Sequence, residues 1–262
     1  GANALIVLLV AFLVGLLVPG LCFYIRQLLD VKVRGRRDIE ENLTIPFLGE
    51  IPRKSKKSGF VVVHEQGRDA VSEAFRVIRS NLDFMLSKKG EVQSIMFTSF
   101  NPGSGKTFIS ANLSVALALA GKRVILLEMD IRKGSAKSED GTVPAGITNY
   151  LSGKVSGIRD IIRKSEWHDT LDVITSGPVP PNPAELLLSN RLDMLMEELR
   201  REYDFILIDT VPYGVVADAQ VINRIADLCI YVIREGRFDR RLLLDVEKLY
   251  TDGRLSHMAV VL

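Results

Sequence analysis

The sequence SFNPGSGKTF around Lys106 contains the residue types of a phosphate-binding loop. Gly103 and Gly105 permit backbone conformations and a close approach to phosphate that a Cβ atom would block. In the pattern G-x-x-x-x-G-K-[ST], the lysine reaches the β and γ phosphates of a nucleotide, and the hydroxyl side chain, here Thr107, ligates magnesium. Phe100 replaces the first glycine of that pattern. The stretch therefore predicts a variant nucleotide-binding loop and leaves open which chemistry the nucleotide serves.

The sequence on either side of this loop predicts a strand and a helix. The apolar stretch SIMFTS precedes the loop, and a helical pattern begins near Lys106. A helix N-terminus directs free N–H groups and a partial positive charge at a bound phosphate. The residues that we predict to bind the nucleotide are Asn101, Pro102, Gly103, Ser104, Gly105, Lys106, Thr107 and Phe108.

Acidic residues end two of the predicted strands. Glu128 and Asp130 close the stretch VILLEMDIR, two residues apart and so on the same side of an extended chain. Asp209 closes FILIDT in the manner of a Walker B acid. Each acid alone is also compatible with a solvated strand end. Together at the sheet edge that carries Lys106, they predict a magnesium site with Thr107, Asp130 and Asp209 as ligands, because Mg²⁺ prefers hard oxygen donors.

Apolar segments of strand length alternate with helical patterns in most of the chain. The predicted strands are residues 94–98, 124–128, 171–175, 205–209, 228–233 and 258–262. The predicted helices are residues 70–86, 105–120, 184–203 in one or two pieces, 218–226 and 239–250. Such alternation predicts an α/β fold, a doubly wound, mostly parallel sheet of the P-loop NTPase type. Ligands of these sheets bind at the carboxyl ends of the strands.

The N-terminal region predicts a membrane span. Residues 4–25 are 22 uncharged and almost wholly apolar residues, enough to cross a hydrocarbon core of about 30 Å. A signal peptide or a buried soluble helix are the alternatives. The basic residues that follow the span predict that the rest of the chain lies in the cytoplasm, on the inner side of the plasma membrane; they are Arg26, Lys32, Arg34, Arg36 and Arg37.

These patterns divide the chain into three parts. We predict a transmembrane helix at residues 1–25, a juxtamembrane linker at 26–58 and a P-loop domain at 59–262, and we expect the sequence to be a piece of a longer protein. A basic knot at residues 53–57 is suited either to anionic lipid or to a solvated linker. The net charge of +2 gives no indication of a nucleic-acid partner. Two cysteines and three scattered histidines provide neither a disulfide framework nor a zinc site.

Several long motifs resemble those of the bacterial tyrosine kinases, the cytoplasmic kinase domains attached to membrane-spanning polysaccharide co-polymerases. The resemblance extends over nearly the whole chain, from the predicted span to Leu262. It is carried by IPFLGEIP, SEAFRVIRSNLDFM, NPGSGKTFISANLS, LLEMDIRKG, GITNYLSGK, SGPVPPNPAELLLSNRLDMLMEELRREYDFILIDT and DRRLLLDVEKLY.

The resemblance implies an enzyme, a protein-tyrosine kinase that uses ATP and Mg²⁺. Its substrate would be mainly the tyrosine-rich C-terminal tail of a neighbouring subunit in a ring-shaped homo-oligomer. The assembly would control capsule or exopolysaccharide export, with the polysaccharide export machinery and a cognate tyrosine phosphatase as partners. Matched position by position, the catalytic residues are Lys106 of Walker A, Glu128, Asp130 and Arg132 of a second Walker-type motif, and Asp209 of Walker B.

Glu128 departs from the family pattern, which usually has aspartate as the first acid of LLEMD. That aspartate is thought to assist removal of the proton from the tyrosine hydroxyl. Glutamate keeps the carboxylate but moves it by about 1.5 Å, and a misplacement of about 1 Å can cost a hundredfold in rate. We therefore expect activity whose efficiency depends on this residue. Val211, where proline is commoner, has no clear consequence.

The motif Glu73-x-x-Arg76-x-x-Arg79 places three charges on one face of a helix. By itself it is typical of an exposed face with an ion pair between residues three apart. The resemblance implies instead that this face forms the subunit contact of the ring, where Arg76 and Arg79 pair with carboxylates of the neighbour. The six tyrosines are dispersed, so we expect the substrate tail to lie beyond Leu262.

Two other functions remain open at this point. A membrane-tethered ATPase of the partitioning or division-site type shares the fold, but it usually has a signature lysine five residues before the P-loop lysine, where this chain has Asn101. A nucleotide-binding scaffold would bind ATP and Mg²⁺ without efficient transfer. Only the kinase would label protein tyrosine.

Overall fold

Strands and helices alternate along the chain as the sequence predicts. The computed structural model describes residues 2–55, 59–87, 93–138, 141–214, 218–255 and 257–262. The strands are β1 (Phe47–Gly49), β2 (Ser94–Thr98), β3 (Val124–Glu128), β4 (Arg163–Lys164), β5 (Leu171–Ile174), β6 (Phe205–Asp209), β7 (Leu228–Val232) and β8 (Met258–Val261). The helices are α1 (Ala2–Leu28), α2 (Arg36–Asn42), α3 (Ala70–Ser87), α4 (Lys106–Leu119), α5 (Ile147–Leu151), α6 (Pro183–Leu187), α7 (Asn190–Glu202), α8 (Asp218–Asn223) and α9 (Leu243–Thr251).

The eight described strands form one sheet in the order β1-β8-β7-β2-β6-β3-β5-β4. Neighbouring strands are parallel except β4, which pairs antiparallel with β5 at the edge. The chain moves from β2 outward through β3 to β5, returns to β6, and then continues on the other side of β2. This reversal of winding creates a crevice at the carboxyl ends of the central strands. The predicted α/β fold is confirmed.

Helices cover both faces of the sheet because the central strands are apolar on both sides. On β3, Ile125 and Leu127 belong to one buried cluster, together with residues of α7, α8 and α9. Val124 and Leu126 belong to a second cluster, which contains the buried residues of α3 and α4. The side chain that follows Leu126 on the second face is Glu128, so this acid points to the face covered by α4.

The segment that we predicted to be a linker is folded against the domain over much of its length. Val33, before α2, and Ile39, within α2, are almost completely buried, and β1 pairs with β8. Ile51 continues this pairing, since its backbone N–H donates to the carbonyl of Leu262. The basic knot is described only in part, because Lys56 and Lys57 lie outside the described residues.

Helix α1 is separate from this packed unit. It is long and apolar enough to cross a membrane, and none of its most apolar window is buried against the rest of the described chain. Pro19 lies inside the helix without ending it. An apolar helix of this length that is not buried against the rest of the described chain needs another apolar environment.

Candidate active site

The glycine-rich loop connects β2 to α4 in the conformation of a phosphate cradle. Gly103 and Gly105 have φ values of 72° and 100°, a left-handed region that favours glycine, and Gly105 is the residue at the N-terminus of α4. The hydroxyl of Ser104 donates to the carbonyl of Asn101 at 2.8 Å, and the hydroxyl of Ser99 donates to the same carbonyl at 2.8 Å. These bonds fold the loop on itself, and the N-terminus of α4 stays available to an anion.

Lys106 is held beneath this loop. Its side chain is mostly buried, and Nζ donates to the hydroxyl of Ser99 at 3.2 Å. Burial lowers the pKa of Lys106, and the nearby carboxylates of Asp209 and Asp130 oppose that effect. Among the described residues no carboxylate lies within 4.0 Å of this ammonium group. The lysine is therefore positioned next to the acids without being neutralised by any of them.

Two acids lie side by side on adjacent strands. Glu128 on β3 is the register partner of Asp209 on β6, and the backbone N–H of Met129 donates to the carbonyl of Asp209 at 2.8 Å. Asp209 is 6% exposed, and burial raises its pKa to about 6 despite the hydrogen bond from Thr107 and the charge of Lys106. Its Oδ1 atom is buried and has no hydrogen-bond partner among the described residues.

This orphaned carboxylate oxygen fits a magnesium ion. A buried acceptor without a donor costs free energy unless a cation or ligand satisfies it. The described residues contain no cluster of three or more His, Cys, Asp or Glu side chains that could hold a metal by themselves. Mg²⁺ usually binds through one or two carboxylates plus phosphate oxygens and water, which agrees with Asp209, Asp130 and Thr107 beside the phosphate loop.

Glu128 lies where the loops after β3 and β5 meet. Burial raises the pKa of its carboxyl, while a hydrogen bond from the backbone N–H of Ser176 and the charge of Lys133 lower it. Thr175, next to Ser176, has a buried hydroxyl oxygen without a hydrogen-bond partner in the described part of the chain. We did not predict Ser176 or Thr175 from the sequence, because a Thr-Ser pair after a strand has no distinctive pattern.

Arg132 forms an ion pair with Asp218. Its guanidinium binds the carboxylate of Asp218 through two hydrogen bonds, of 2.6 Å from Nε and 2.9 Å from Nη2. The Asp218 side chain is 3% exposed, whereas that of Arg132 is 45% exposed. The pair joins the loop after β3 to the start of α8, and so links the loops that follow two acid-bearing strands. Asp218 was not predicted as a site residue.

A cavity of about 360 Å³ lies beside the glycine-rich loop. It is lined by Lys32, Asn101, Pro102, Ser104, Arg234, Gly236, Arg237 and Phe238. Arg234 Nη1 donates to the carbonyl of Gly103 at 2.6 Å, which ties the loop after β7 to the phosphate cradle. The ring of Phe100 packs edge-on against that of Phe238, with centroids 6.2 Å apart. The phenylalanine in place of the first glycine therefore anchors the start of the loop to its neighbour.

The charged motif on α3 has partners within the chain. Arg76 forms an ion pair with Glu73 and donates to two backbone carbonyls at 3.4 Å. Arg79 Nη1 donates to the carbonyl of Ala116, in the last turn of α4, at 3.0 Å. The three residues lie together on one helix face, as the sequence predicts.

Thus the structure brings Lys106, Thr107, Glu128, Asp130 and Asp209 together at one edge of the sheet, and Glu73, Arg76 and Arg79 lie on a separate helix. Arg132 is next to the edge but is engaged by Asp218.

Comparison with known proteins shows the family to which this chain belongs. The family model of an AAA domain matches residues 92–238, more than half of the chain. The chain is 38% identical over 191 residues to the tyrosine-protein kinase YwqD of Bacillus subtilis (strain 168), an alignment that covers 72% of this chain and 78% of the relative. It is 34% identical over 212 residues to the tyrosine-protein kinase etk of Escherichia coli (strain K12), which covers 79% of this chain and 27% of that relative.

Solved structures agree with the sequence comparison. The kinase domain of the Escherichia coli tyrosine kinase ETK superposes with a TM-score of 0.72 at 28% identity, covering 86% of this chain and 92% of that domain. The P-loop fold implies nucleotide binding, and the similarity to kinases extends well beyond the loop itself. The chain therefore belongs to the family of bacterial tyrosine-protein kinases.

Proposed function

We propose that the chain is an ATP- and Mg²⁺-dependent autokinase that phosphorylates, in trans, the tyrosine-rich C-terminal tail of a neighbouring subunit in a ring. The ring would regulate the chain length and export of a capsular or exopolysaccharide, and a cognate phosphatase would reset it. One observation carries the chemical part of this proposal. Lys106, Glu128 and Asp209 meet at one sheet edge, where Asp209 has a buried oxygen without a partner.

The residues of this edge have separate roles in the proposed transfer. Lys106 and the N-terminus of α4 would hold the β and γ phosphates and stabilise the charge that develops on them. Thr107, Asp130 and Asp209 would hold Mg²⁺, which neutralises phosphate charge when bound.

Glu128 would serve the acceptor. The phenol oxygen of the substrate tyrosine forms a bond to the γ phosphorus as the bond from that phosphorus to the β–γ bridging oxygen breaks. The phenol proton passes to the carboxylate of Glu128. Because phosphoryl transfer is loose, this proton can leave late, and a carboxylate is a sufficient base. The backbone N–H of Ser176 orients the carboxylate in this role.

We propose further that α1 spans the plasma membrane and holds the kinase domain on its cytoplasmic side. The support is the length and apolar composition of α1, its exposure from the rest of the described chain, and the basic residues that follow it. We infer that the kinase domain comprises residues 59–262 together with the folded part of the juxtamembrane segment, because Ile39 of α2 and Leu48 of β1 are buried and β1 pairs with β8.

Phosphotyrosine detection tests the kinase proposal. The chain with a tyrosine-rich tail fused after Leu262 is incubated with ATP and Mg²⁺, and we expect label on the tail. Lys106→Met should abolish the label, whereas Lys122→Met, an exposed lysine away from the cradle, should not. Glu128→Asp should keep or raise the label. A chain that shows no Mg²⁺-dependent affinity for adenine nucleotides would contradict the proposal.

A scaffold is the second candidate because glutamate stands where the family usually has aspartate. In that case the wild-type chain would bind ATP with Mg²⁺ and leave the tail unlabelled. Label that appears only in the Glu128→Asp variant would favour the scaffold over the kinase.

A further inference from the structure

The chain that leaves α1 is bonded at once to the loop after β7. The backbone N–H of Val33 donates to the carbonyl of Phe238, and that of Gly236 donates to the carbonyl of Val33, both at 2.9 Å. The backbone N–H of Arg240 donates to the carbonyl of Val31 at 2.7 Å. These bonds fix the loop against the segment that follows the apolar helix.

The short chain between these points limits how far the loop can lie from the membrane. Helix α1 ends at Leu28, and Val31 is the first residue that forms a backbone–backbone hydrogen bond with the loop after β7. Three residues span at most about 10 Å when fully extended. The headgroup region of each leaflet is itself about 5 to 8 Å thick, since a bilayer measures about 40–45 Å with headgroups and about 30 Å without them. The loop therefore lies at or beside the headgroups if α1 spans the bilayer.

The same loop forms one side of the candidate active site. Arg234 is bonded to the carbonyl of Gly103, and Phe238 packs against Phe100. The carboxyl ends of the parallel strands thus lie on the membrane side. The hairpin before β5, which contains Glu166, lies at the amino ends of the strands and faces away from the membrane.

The membrane-facing surface is positively charged. Residues 26–41 and 234–241 contain nine basic and six acidic residues, a net charge of +3. Five of the acids are paired with arginines: Asp30 with Arg34, Asp38 with Arg240, Glu40 with Arg36, Glu41 with Arg37 and Asp239 with Arg241. The side-chain ammonium or guanidinium groups of Lys32, Arg234 and Arg237 have no carboxylate within 4.0 Å among the described residues, and both arginines are exposed.

We propose that Lys32, Arg234 and Arg237 bind the anionic headgroups of the inner leaflet, so that the candidate active site opens toward the membrane surface. This inference rests on the proposal that α1 spans the membrane. Basic residues within a Debye length of an anionic surface, about 8 Å, are attracted by about 1 kcal/mol each. The three-residue connection from α1 keeps the loop after β7 within about this distance of the headgroups.

Fluorescence quenching in nanodiscs tests this inference on the full chain. A bimane probe is attached to one cysteine at a time, and the lipids carry either acyl-chain or headgroup spin labels. Native Cys22 in α1 reports insertion, while Cys229 is buried and does not react. In a Cys22→Ser background, Glu235→Cys probes the loop and Glu166→Cys is the matched control at the opposite edge. The discs contain phosphatidylcholine alone or with phosphatidylglycerol.

We expect headgroup quenching at position 235 and none at 166. Phosphatidylglycerol should strengthen the quenching, and high salt should weaken it. Arg237→Gln should lower the ratio of bound to unbound loop about fivefold, whereas Arg163→Gln at the amino edge should not. Quenching at Cys22 without quenching at 235 would overturn this inference and leave the span intact. Equal quenching at 235 with and without phosphatidylglycerol would overturn headgroup recognition. A probe at Cys22 that acyl-chain labels do not quench would overturn the proposed span itself.

Discussion

Asp209 is a candidate metal ligand whose buried carboxylate lowers the stability of the protein when no ligand is bound. Its carboxylate is buried, has one oxygen without a donor and has a pKa raised to about 6 by that burial. Proteins keep such groups where a ligand completes them. The unpaired carboxylate oxygen destabilises the protein without ligand. A cation that arrives with the nucleotide would relieve this cost and so bind more tightly.

We therefore predict that Asp209→Asn stabilises the protein in EDTA without nucleotide. The neutral amide removes a buried charge, and the free energy of unfolding at pH 7.5 should rise by about 1 to 3 kcal/mol. The same variant should lose the stabilisation that Mg²⁺ with ADP gives the wild type. Urea unfolding with and without Mg-ADP measures both effects. If Asp209→Asn is less stable than wild type in EDTA, the carboxylate is part of the structural core and not a ligand.

The pair of Arg132 and Asp218 should respond unequally to removal of its two partners. Arg132→Gln leaves a buried carboxylate without a cation, which costs about 3 kcal/mol. Asp218→Asn leaves a half-exposed guanidinium that water can solvate, so we expect about 1 kcal/mol. The double variant should recover most of the loss. Urea unfolding of the four proteins tests this, with Arg159→Gln of an exposed pair as the control. Equal losses in the two single variants would contradict the assigned burial.

At the scale of elements, the buried strands were the most predictable part of the chain. All six predicted strands are present with ends within one residue, because short apolar runs rich in β-branched residues and bounded by polar residues favour buried strands. Helix α2 was not predicted, since its sequence RRDIEEN has only Ile39 as an apolar residue. Strand β1 is three residues long and forms by pairing with β8. A segment this short has no local sequence pattern that predicts a strand.

The candidate site divides in the same way. The strand-end acids and the phosphate loop follow from local sequence, because parallel strands bring their carboxyl ends to one edge. Asp218, Ser176 and Arg237 come from loops whose paths depend on tertiary contacts. Only the structure shows that Asp218 binds Arg132, that Ser176 donates to Glu128 and that Arg237 lines the cavity beside the glycine-rich loop.

Asp227 fastens the opposite, amino-terminal end of the sheet. Its carboxylate accepts hydrogen bonds from the backbone N–H groups of Gln93 and Ser94 and from both Nη atoms of Arg200. Burial acts to raise the pKa of Asp227, but the hydrogen bonds from Arg200 and from Ser94 outweigh it and lower the pKa to about 2. The clamp thus joins the starts of β2 and β7 to the end of α7.

We predict that Asp227→Asn lowers the free energy of unfolding by about 2 kcal/mol at pH 7. Because the folded pKa lies below the unfolded one, this contribution is complete above about pH 4 and disappears as the pH falls from about 4 to about 2. Urea unfolding of both proteins at pH 7 and near pH 2 measures the difference. Asp252→Asn, an exposed acid, should have little effect at either pH. A difference that is the same at both pH values would show that the clamp acts through shape and not through charge.

At the scale of the whole molecule, the charged face of α3 contributes to the fold of one subunit and is the proposed contact between subunits, and these two contributions can be measured separately. Arg79 donates to a carbonyl in the last turn of α4, where a cation also meets the negative end of the helix dipole. Arg76 is paired only at the surface, with Glu73 and with backbone carbonyls of the preceding loop. The two arginines should therefore contribute differently to the stability of one subunit, even if both contact a neighbour in the proposed ring.

We predict that Arg76→Ala dissociates the assembly and leaves the stability of one subunit almost unchanged, since exposed ion pairs contribute about 0 to 1 kcal/mol. Arg79→Ala should also dissociate it, and in addition should lower the free energy of unfolding by about 1 to 2 kcal/mol, because the carbonyl of Ala116 loses its charged donor. Light scattering after size exclusion in detergent measures assembly, and urea unfolding measures stability. Arg163→Ala on the edge strand β4 is the control for a lost surface charge. If Arg76→Ala assembles like the wild type, the face of α3 serves only the fold of one subunit, and the ring must close through another surface.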